Sequence, residues 1–325
     1  MNFYYKIYGM VLSSTRSIGL LEEQPYSPVD LNVIWTTNSK ETPDDSLPWV
    51  RIITRDLAYR KGISLYHAST VEGVYKKFCF REINLVLEFI LHPVQNKLWV
   101  IYDKQENEND LDSYFVGPVL GSILRLKNVI CLHASVICID EKAVVIMGNK
   151  RSGKSTTAAA FTQLGFSILA DDLAVISSIN GVFFVESGYS SVRLRPASLE
   201  AIHSKGDENF PLVYSFRNSR YADVRNNFHK SSLPLGSIYL LNNSSSYNSI
   251  PTIQTIPELE KIVRLNEHTF GNYVVTRELR KNEFHVLGKL ASTIPFYSLV
   301  FAPDLQMLRL QCETIIINSR KTIHN

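Results

Sequence analysis

The chain has 325 residues, of which 45% are hydrophobic, and its 34 lysine and arginine residues nearly balance 31 aspartate and glutamate residues. A formal net charge of only +3 at pH 7 gives no argument for a nucleic-acid or membrane-surface partner. Its apolar stretches are interrupted by charge, proline or glycine, and none approaches the ~20 apolar residues that span a bilayer. We expect a cytoplasmic protein without a signal peptide, whose four cysteines stay reduced.

The first hundred residues are typical of a strand-rich domain, with short β-branched and aromatic runs between turn formers. The predicted strands are Asn2–Ser13, Leu31–Thr37, Ile63–Ser69, Lys76–Phe80 and Lys97–Tyr102. The polar stretch 103–112 indicates a linker, and a helix is predicted over about 112–126. We therefore predict a strand-rich N-terminal domain over residues 1–110 and a second domain over residues 111–325.

The second half has the pattern of an α/β nucleotide-binding core. Its predicted strands are Val129–Ile139, Ala143–Met147, Ser167–Leu169, Ala174–Ser178, Val182–Glu186 and Ser237–Leu241. A helix is predicted over 154–164, followed by Gly165 at the position that suits a C-terminal glycine. Asn180-Gly181 predicts a tight hairpin, and a closing helix is predicted near 303–317.

A glycine-rich loop between the second of these strands and the helix matches the phosphate-binding pattern GxxxxGK[ST]. Its residues are Gly148, Asn149, Lys150, Arg151, Ser152, Gly153, Lys154 and Ser155. The glycines let successive N–H groups approach phosphate oxygens, and the helix contributes its positive end. Lys154 supplies a charge to the β- and γ-phosphates, and the Ser155 hydroxyl can ligate magnesium. We assign the binding of a magnesium–nucleoside triphosphate to this loop together with Thr156.

Asp171 and Asp172 follow the next short strand, where two adjacent carboxylates repel each other unless a cation lies nearby. A phosphoryl-transfer enzyme needs an acid that holds the metal and often a base for the attacking hydroxyl. The alternative is a helix cap or a solvated turn. His133, in the strand before the loop strand, is either a structural residue or reaches the acid pair or the γ-phosphate.

Arg193 and Arg195 alternate along a predicted strand, so both could point at the transferring phosphate or at a carboxylate of the acceptor. The alternative is an ordinary exposed strand edge. The basic run 217–230 is either a solvated loop or a flexible lid that binds a peptide.

Three segments together resemble the catalytic domain of HPr kinase/phosphorylase: Leu132-His133-Ala134-Ser135, the loop, and residues 165–172 ending in Ala170-Asp171-Asp172. The resemblance implies an α/β fold with a P-loop, HPr-kinase-like catalytic core behind the strand-rich domain. It also implies that Lys154 and the loop amides hold the β-phosphate and Ser155 the metal. Asp172 would be the general base, and Asp171 would contact magnesium or His133, although the order within the pair stays open.

Three further segments, 188–196, 234–241 and 294–299, resemble HPr-kinase-related proteins of peptide-tailoring clusters. These include lasso peptide kinases, which phosphorylate a C-terminal serine. Two departures argue against HPr as the substrate: the glycine-rich segment associated with phosphorolysis is not evident, and Thr156 stands where the HPr enzymes usually have an acidic residue.

We therefore expect an ATP- and Mg²⁺-dependent kinase whose substrate is a peptide with an acceptor serine, and the family resemblance is compatible with a homo-oligomer. The resemblance favours the C-terminal serine of a ribosomally made lasso precursor. Alternatives are a nucleotide-binding or nucleotide-hydrolysing regulatory module, and a kinase for HPr or for a metabolite such as free serine. The choice between ATP and GTP stays open.

Overall fold

The computed structural model describes residues 2–57, 61–82, 85–203, 210–243 and 250–323. By their contacts the residues fall into two compact units, 1–119 and 120–325. This division lies after the sequence-based boundary at residue 110, because helix α1 (Glu108–Tyr114) packs within the first unit. Its Tyr114 ring lies 4.7 Å, centroid to centroid, from that of Phe80. The predicted linker thus contains the start of a helix, which begins at Glu108 and not near Asp112.

The first unit contains one eight-stranded sheet. Its strands are β1 (Phe3–Ile7), β2 (Met10–Ser14), β3 (Leu31–Thr36), β4 (Val50–Leu57), β5 (Lys61–Thr70), β6 (Gly73–Glu82), β7 (Leu85–Leu91) and β8 (Lys97–Ile101). They lie in the order β1-β2-β3-β8-β7-β6-β5-β4. All neighbours are antiparallel except the pairs β2–β3 and β3–β8, which are parallel. Strands β4 and β7 were not predicted.

Alternation of side chains explains the core of this sheet. In β3, Leu31, Val33 and Trp35 are buried while the residues between them are less so, the period expected of a strand with one covered face. The Trp35 ring packs edge-on against Phe115, 5.7 Å away. Phe115 begins a short π-helical turn, Phe115–Val119, directly after α1. The end of α1 therefore covers the apolar face of the sheet.

The second unit has a nine-stranded mixed sheet and a separate two-stranded antiparallel sheet. The strands are β9 (Ile130–Leu132), β10 (Ala134–Ile139), β11 (Lys142–Gly148), β12 (Ile168–Ala170), β13 (Ala174–Ile179), β14 (Val182–Glu186), β15 (Ser191–Leu194), β16 (Arg220–Asp223), β17 (Leu233–Asn243), β18 (Thr252–Thr255) and β19 (Phe296–Phe301). The large sheet runs β12-β10-β11-β17-β14-β13-β9, with β19 beside β17 and β18 beside β19. Strands β15 and β16 form the two-stranded sheet. The chain is thus a mixed α/β protein.

Both faces of this sheet are covered by helices. The helices are α2 (Leu120–Leu126), α3 (Lys154–Gln163), α4 (Pro196–His203), α5 (Glu258–Glu267), α6 (Arg277–Thr293) and α7 (Leu308–Ile323). On β11, Val145 and Met147 belong to the core layer that includes α5 and α6, whereas Val144 and Ile146 belong to the layer that includes α3, α4 and α7. A strand buried on both faces reads as a continuous apolar run. No helix among the described residues is both long and apolar enough to cross a membrane.

Local turn chemistry has the expected form at the predicted hairpin. Asn180 and Gly181 both have positive φ, 52° and 82°, as a two-residue turn of type I′ requires. Gly165, with φ of 83°, follows α3 in the left-handed conformation that commonly ends a helix. The four cysteines are free thiols, as predicted.

Candidate functional site

The phosphate loop, residues 148–155, lies between a buried strand and a helix. Gly148 ends β11, and α3 begins at Lys154. Gly148 and Gly153 have φ of 154° and 102°, and a Cβ on Gly148 would lie 2.5 Å from Oγ of Ser152. These positions therefore need glycine, and the first turn of α3 adds N–H groups without helical partners. The loop has the strand-before, helix-after context that the motif requires.

The Lys154 side chain folds back over this loop. Its Nζ donates hydrogen bonds to the carbonyl oxygens of Gly148, at 2.9 Å, and Asn149, at 3.2 Å. Burial lowers the pKa of Lys154, while the negative charges of Asp171 and Asp172 oppose that shift. The ammonium group is thus held at the loop and lies within electrostatic range of the acid pair.

Strand register brings the acid pair to His133. Ala170 in β12 pairs with Val136 in β10, and Ala174 in β13 pairs with Leu132 in β9. The segment between β12 and β13 therefore runs antiparallel to the segment between β9 and β10, which contains His133. Antiparallel neighbours at this spacing bring opposite side chains into contact.

Asp171 is buried and bonded by the protein at both oxygens. Its Oδ1 accepts from Ser135 Oγ at 2.6 Å, and its Oδ2 accepts from the Arg193 backbone N–H at 2.9 Å. Burial raises the pKa of Asp171, and these bonds, with one to Ser155, act in the opposite direction. The Asp171 side chain therefore contacts residues of β10, of β15 and of the start of α3.

Asp172 carries the ion pairs of the site. Its Oδ1 lies 3.2 Å from Nδ1 of His133, and its Oδ2 accepts from Nη1 of Arg193 at 2.7 Å. His133 Nδ1 also lies 3.0 Å from the backbone oxygen of Asp172. Burial alone would raise the pKa of Asp172, but Arg193, His133 and Lys154 outweigh it and hold that pKa well below its usual range. The histidine therefore faces Asp172, whereas the sequence had left open which residue of the acid pair contacts it.

The backbone at Asp172 is strained. Its φ is 69°, in the left-handed region where residues other than glycine are uncommon and where Asp is among the tolerated exceptions. Residues in such conformations cost of order 1–3 kcal/mol and persist where the surroundings over-determine them. Here the surroundings are the bonds to His133 and Arg193, so the fold maintains a particular direction for this carboxylate.

Arg193 has unused hydrogen-bonding capacity beside the acid pair. Its Nη1 bonds Asp172, but within the described part of the chain its buried Nε and Nη2 have no hydrogen-bond partner. The guanidinium carbon lies 6.0 Å and 5.6 Å from the ring centroids of Tyr214 and Tyr221. Two aromatic faces thus stabilise the cation, and its free donors suit an oxyanion.

These groups line one cleft, which we call the charged cleft. Its lining residues are His133, Lys150, Arg151, Gly153, Lys154, Ser155, Thr156, Asp172, Arg193, Arg195, Ser198 and Ser219. Five of them are lysine or arginine and one is a carboxylate, so the cleft favours anions. Arg195 is exposed and lies just after β15, so the predicted pair of arginines reaches the same cleft although only Arg193 is within the strand.

Some of the remaining predicted residues line the charged cleft and others do not. Asn149 and Ser152 belong to the loop but do not line the charged cleft. Of the basic run 217–230, Ser219 lines it, whereas Arg225 forms an exposed pair with Asp223. The lid interpretation of this run stays a prediction.

Ser155 and the acid pair are the groups that suit a magnesium ion. Magnesium prefers hard oxygen ligands and usually takes one or two from protein, with the rest from phosphates and water. Ser155 acts to lower the pKa of Asp171, so hydroxyl and carboxylate oxygens lie together at the loop. Among the described residues, no group of three or more His, Cys, Asp or Glu side chains could hold a metal ion.

Two serines of the site have contacts that sequence reasoning did not assign. Ser135, which follows Ala134 in the segment that contains His133, donates a hydrogen bond to Asp171. Ser198 in α4 forms a 2.9 Å hydrogen bond with Thr156 in α3 and lines the charged cleft. The continuous apolar run of β10 could have indicated that Ser135 is buried, and a buried serine in an apolar strand needs a hydrogen-bond partner. Nothing local in the sequence indicates the contact of Ser198.

Comparison with known proteins gives partial likenesses. No family model matches the chain. Over 112 residues, 33% of this chain, it is 25% identical to the HPr kinase/phosphorylase of two strains of Clostridium kluyveri, and the match spans about a third of their length, 35%. A solved structure, the HPr(Ser) kinase/phosphatase from Coxiella burnetii, is 14% identical, with a TM-score of 0.33 and coverage of 60% of this chain and 99% of that one.

Proposed function

We propose that the chain is an ATP-dependent kinase that transfers the γ-phosphoryl group to a serine hydroxyl. The observation that carries the proposal is that the phosphate loop and the cluster of His133, Asp172 and Arg193 line the same cleft. The likeness to HPr kinase/phosphorylase over part of the chain is consistent with this reaction class.

Phosphate binding falls to the loop and its lysine. The amides of residues 148–155 and the start of α3 would surround the β-phosphate. Lys154 Nζ, now bonded to two loop carbonyls, would contribute a positive charge to the same oxygens. Nε and Nη2 of Arg193 would donate to the γ-phosphoryl oxygens, because buried donors without a partner gain most from an anion.

Asp172 would orient the acceptor hydroxyl. In the reaction a bond forms between the serine oxygen and the γ-phosphorus, the bond from that phosphorus to the bridging oxygen breaks, and the hydroxyl proton leaves. A carboxylate with a lowered pKa is a weak base, so Asp172 accepts a hydrogen bond early and the proton moves late. Positioning and charge neutralisation supply most of the catalysis in such reactions.

Magnesium would be held by Ser155 and the acid pair together with phosphate oxygens. When bound, it neutralises charge that develops on the phosphates. Asp171 lies deeper than Asp172 and is bonded at both oxygens by protein. Besides contributing to the metal site, Asp171 would keep Ser155 and the backbone of Arg193 in place, whereas Asp172 is the carboxylate that lines the cleft.

For the acceptor we propose the C-terminal serine of a ribosomally made peptide, as in lasso precursors. What supports this finer statement is charge: Arg195 and Lys150 are exposed at the charged cleft and have no role in the loop's own structure. Either could pair with a free α-carboxylate next to the reacting hydroxyl. An internal serine would present no such charge.

The test is phosphorylation of synthetic peptides that end in serine, followed by mass spectrometry. We expect a single phosphate on peptides with a free C-terminal carboxylate and much less on the amidated forms. Lys154→Ala should lower the rate at least ~10³-fold. The control is Lys142→Ala, at the start of β11 and at the opposite end of that strand from the loop, which should not change the rate.

Equal rates on free and amidated peptides would remove the C-terminal acceptor from the proposal. ATP turnover that ignores every hydroxyl acceptor would instead favour a nucleotide-hydrolysing module. A full rate in Lys154→Ala would contradict the kinase site itself.

A further inference from the structure

A second cleft opens beside the phosphate loop, and we call it the mixed cleft. It shares Arg151, Gly153, Thr156 and Ser198 with the charged cleft, so the two adjoin at the loop. Beyond these shared residues it is lined chiefly by Asn243, Phe301, Pro303, Asp304, Leu305 and Leu308. None of the kinase roles proposed above uses this group of residues.

Its location follows from the sheet. Strands β11, β17 and β19 are parallel neighbours, with Gly148 opposite Leu241 and Asn243 opposite Phe301. Their carboxyl ends therefore meet at one edge of the sheet. The first of these ends carries the phosphate loop, and the other two carry Asn243 and the segment 302–305. In open α/β sheets, ligands bind in the crevice outside the carboxyl ends of the strands.

The chemistry of the two clefts differs. Every residue that lines the charged cleft is polar or glycine, whereas the mixed cleft adds Phe301, Pro303, Leu305 and Leu308. Leu305 is 43% exposed there. Ligand sites for organic groups are mostly apolar with a few placed polar groups. The charged cleft therefore suits phosphates and the mixed cleft suits a heterocycle.

Two polar side chains of the mixed cleft, Asp304 and Asn243, are exposed. Oδ1 of Asp304 accepts from the backbone N–H of Gln306 at 2.9 Å, and a carboxylate has further lone pairs to offer. Asn243 supplies an amide from the end of β17. Such groups can bond the hydroxyls of a ribose or the edge of a base.

The walls of the mixed cleft are preformed. Helix α7 is tied to α3 by a buried hydrogen bond of 3.0 Å from Nε2 of Gln311 to Oγ1 of Thr157. Cys312, also on α7, is buried in the core layer that contains α3. Because both helices are fixed to each other, the apolar wall from α7 stays beside the loop, and little ordering is needed on binding.

We propose that the mixed cleft binds the nucleoside of the triphosphate whose phosphates lie on the loop. The base would lie against Leu305 and Leu308, and the γ-phosphate would point into the charged cleft. This inference rests on the proposed function, because it requires a triphosphate at the loop.

The first measurement compares the binding of ATP and of inorganic tripolyphosphate to the full chain by calorimetry, both with magnesium. We expect ATP to bind at least roughly tenfold more tightly, since burying a base adds apolar area. Equal affinities would overturn the nucleoside site while leaving the phosphate site intact. Binding of neither would overturn both.

The second measurement uses a matched pair of exposed leucines. Leu305 and Leu310 are 43% and 37% exposed, but only Leu305 is among the residues that line the mixed cleft. Leu305→Gln should weaken ATP binding about three- to tenfold with tripolyphosphate unchanged, and Leu310→Gln should change neither. An unchanged ATP affinity in Leu305→Gln, or an equal loss for both ligands, would contradict the inference.

Discussion

Two of the arginine–carboxylate pairs in the second unit have the same chemistry but different surroundings. Arg125 Nη2 bonds Oε1 of Glu283 at 2.5 Å, and the two side chains are 2% and 3% exposed. Arg193 and Asp172 bond at 2.7 Å, but are 16% and 21% exposed and lie in the charged cleft. The sealed pair joins α2 to α6, whereas the open pair lies beside the phosphate loop.

The difference indicates what each pair does. A sealed ion pair can act only on the fold, because no ligand reaches it. The open pair has a strained backbone at Asp172 and two free donors on Arg193, features that cost stability and gain nothing until an anion binds. We therefore expect mutations of the open pair to change activity and mutations of the sealed pair to change stability.

The largest expected effect is on transfer. Asp172→Asn keeps the shape but removes the charge that faces the acceptor hydroxyl, so the transfer rate should fall by at least ~10³-fold. Single-turnover kinetics with ATP and acceptor peptide would measure it. Asp140→Asn is the control, because Asp140 also pairs with an arginine, Arg320 at 3.0 Å, but is exposed at the turn before β11. A rate within a few-fold of wild type in Asp172→Asn would mean that this carboxylate does not take part.

The next effect is on stability. Glu283→Gln leaves the buried Arg125 charge without its partner, and breaking a buried pair this way costs about 3–5 kcal/mol. Urea unfolding would show this as a lower midpoint with the slope unchanged. The comparison variant is Glu313→Gln, which removes an exposed bond to Arg309 of 2.9 Å on α7 and should change the free energy of unfolding by less than about 1 kcal/mol. Equal losses in the two variants would contradict the distinction between sealed and exposed pairs.

The smallest expected effect is on how the free energy of unfolding changes as the pH falls. The folded-state pKa of Asp172 is lowered, since Arg193, His133 and Lys154 outweigh burial. A lowered pKa contributes stability that is present above the unfolded value, about 3.9, and is lost as the pH falls toward the folded value. Free energies of unfolding from about pH 6 to about pH 3 should therefore fall less steeply in Asp172→Asn than in wild type. A parallel decline in the two proteins would show that the ion pair adds no net stability.

Much of the site's local structure could be predicted from the sequence. The glycines, Lys154 and Ser155 define a loop whose conformation depends on backbone freedom and on the helix that follows, both local properties. The hairpin at Asn180-Gly181 and the glycine after α3 were predicted for the same reason. Strand β7 was not predicted, although the turn formers Pro93 and Asn96 separate it from β8.

What sequence reasoning could not assign was the pairing within the site. Whether His133 faces Asp171 or Asp172 depends on the register of β12 with β10 and of β13 with β9, and a shift of one residue would exchange the two carboxylates between faces. The contact of Ser198 with Thr156 depends on how α4 packs on α3, which no short segment encodes.

The sequence by itself determined the phosphate loop, the acidic pair after a short strand and the α/β class, because these follow from residue types at fixed spacing along the chain. Only the tertiary structure decided that Arg193 completes an ion pair with Asp172 and that Asp171 is bonded by protein at both oxygens. It also decided that the mixed cleft adjoins the loop at the ends of β17 and β19. The physical reason is that these contacts join residues far apart in the chain, and sheet register and helix packing set their distances.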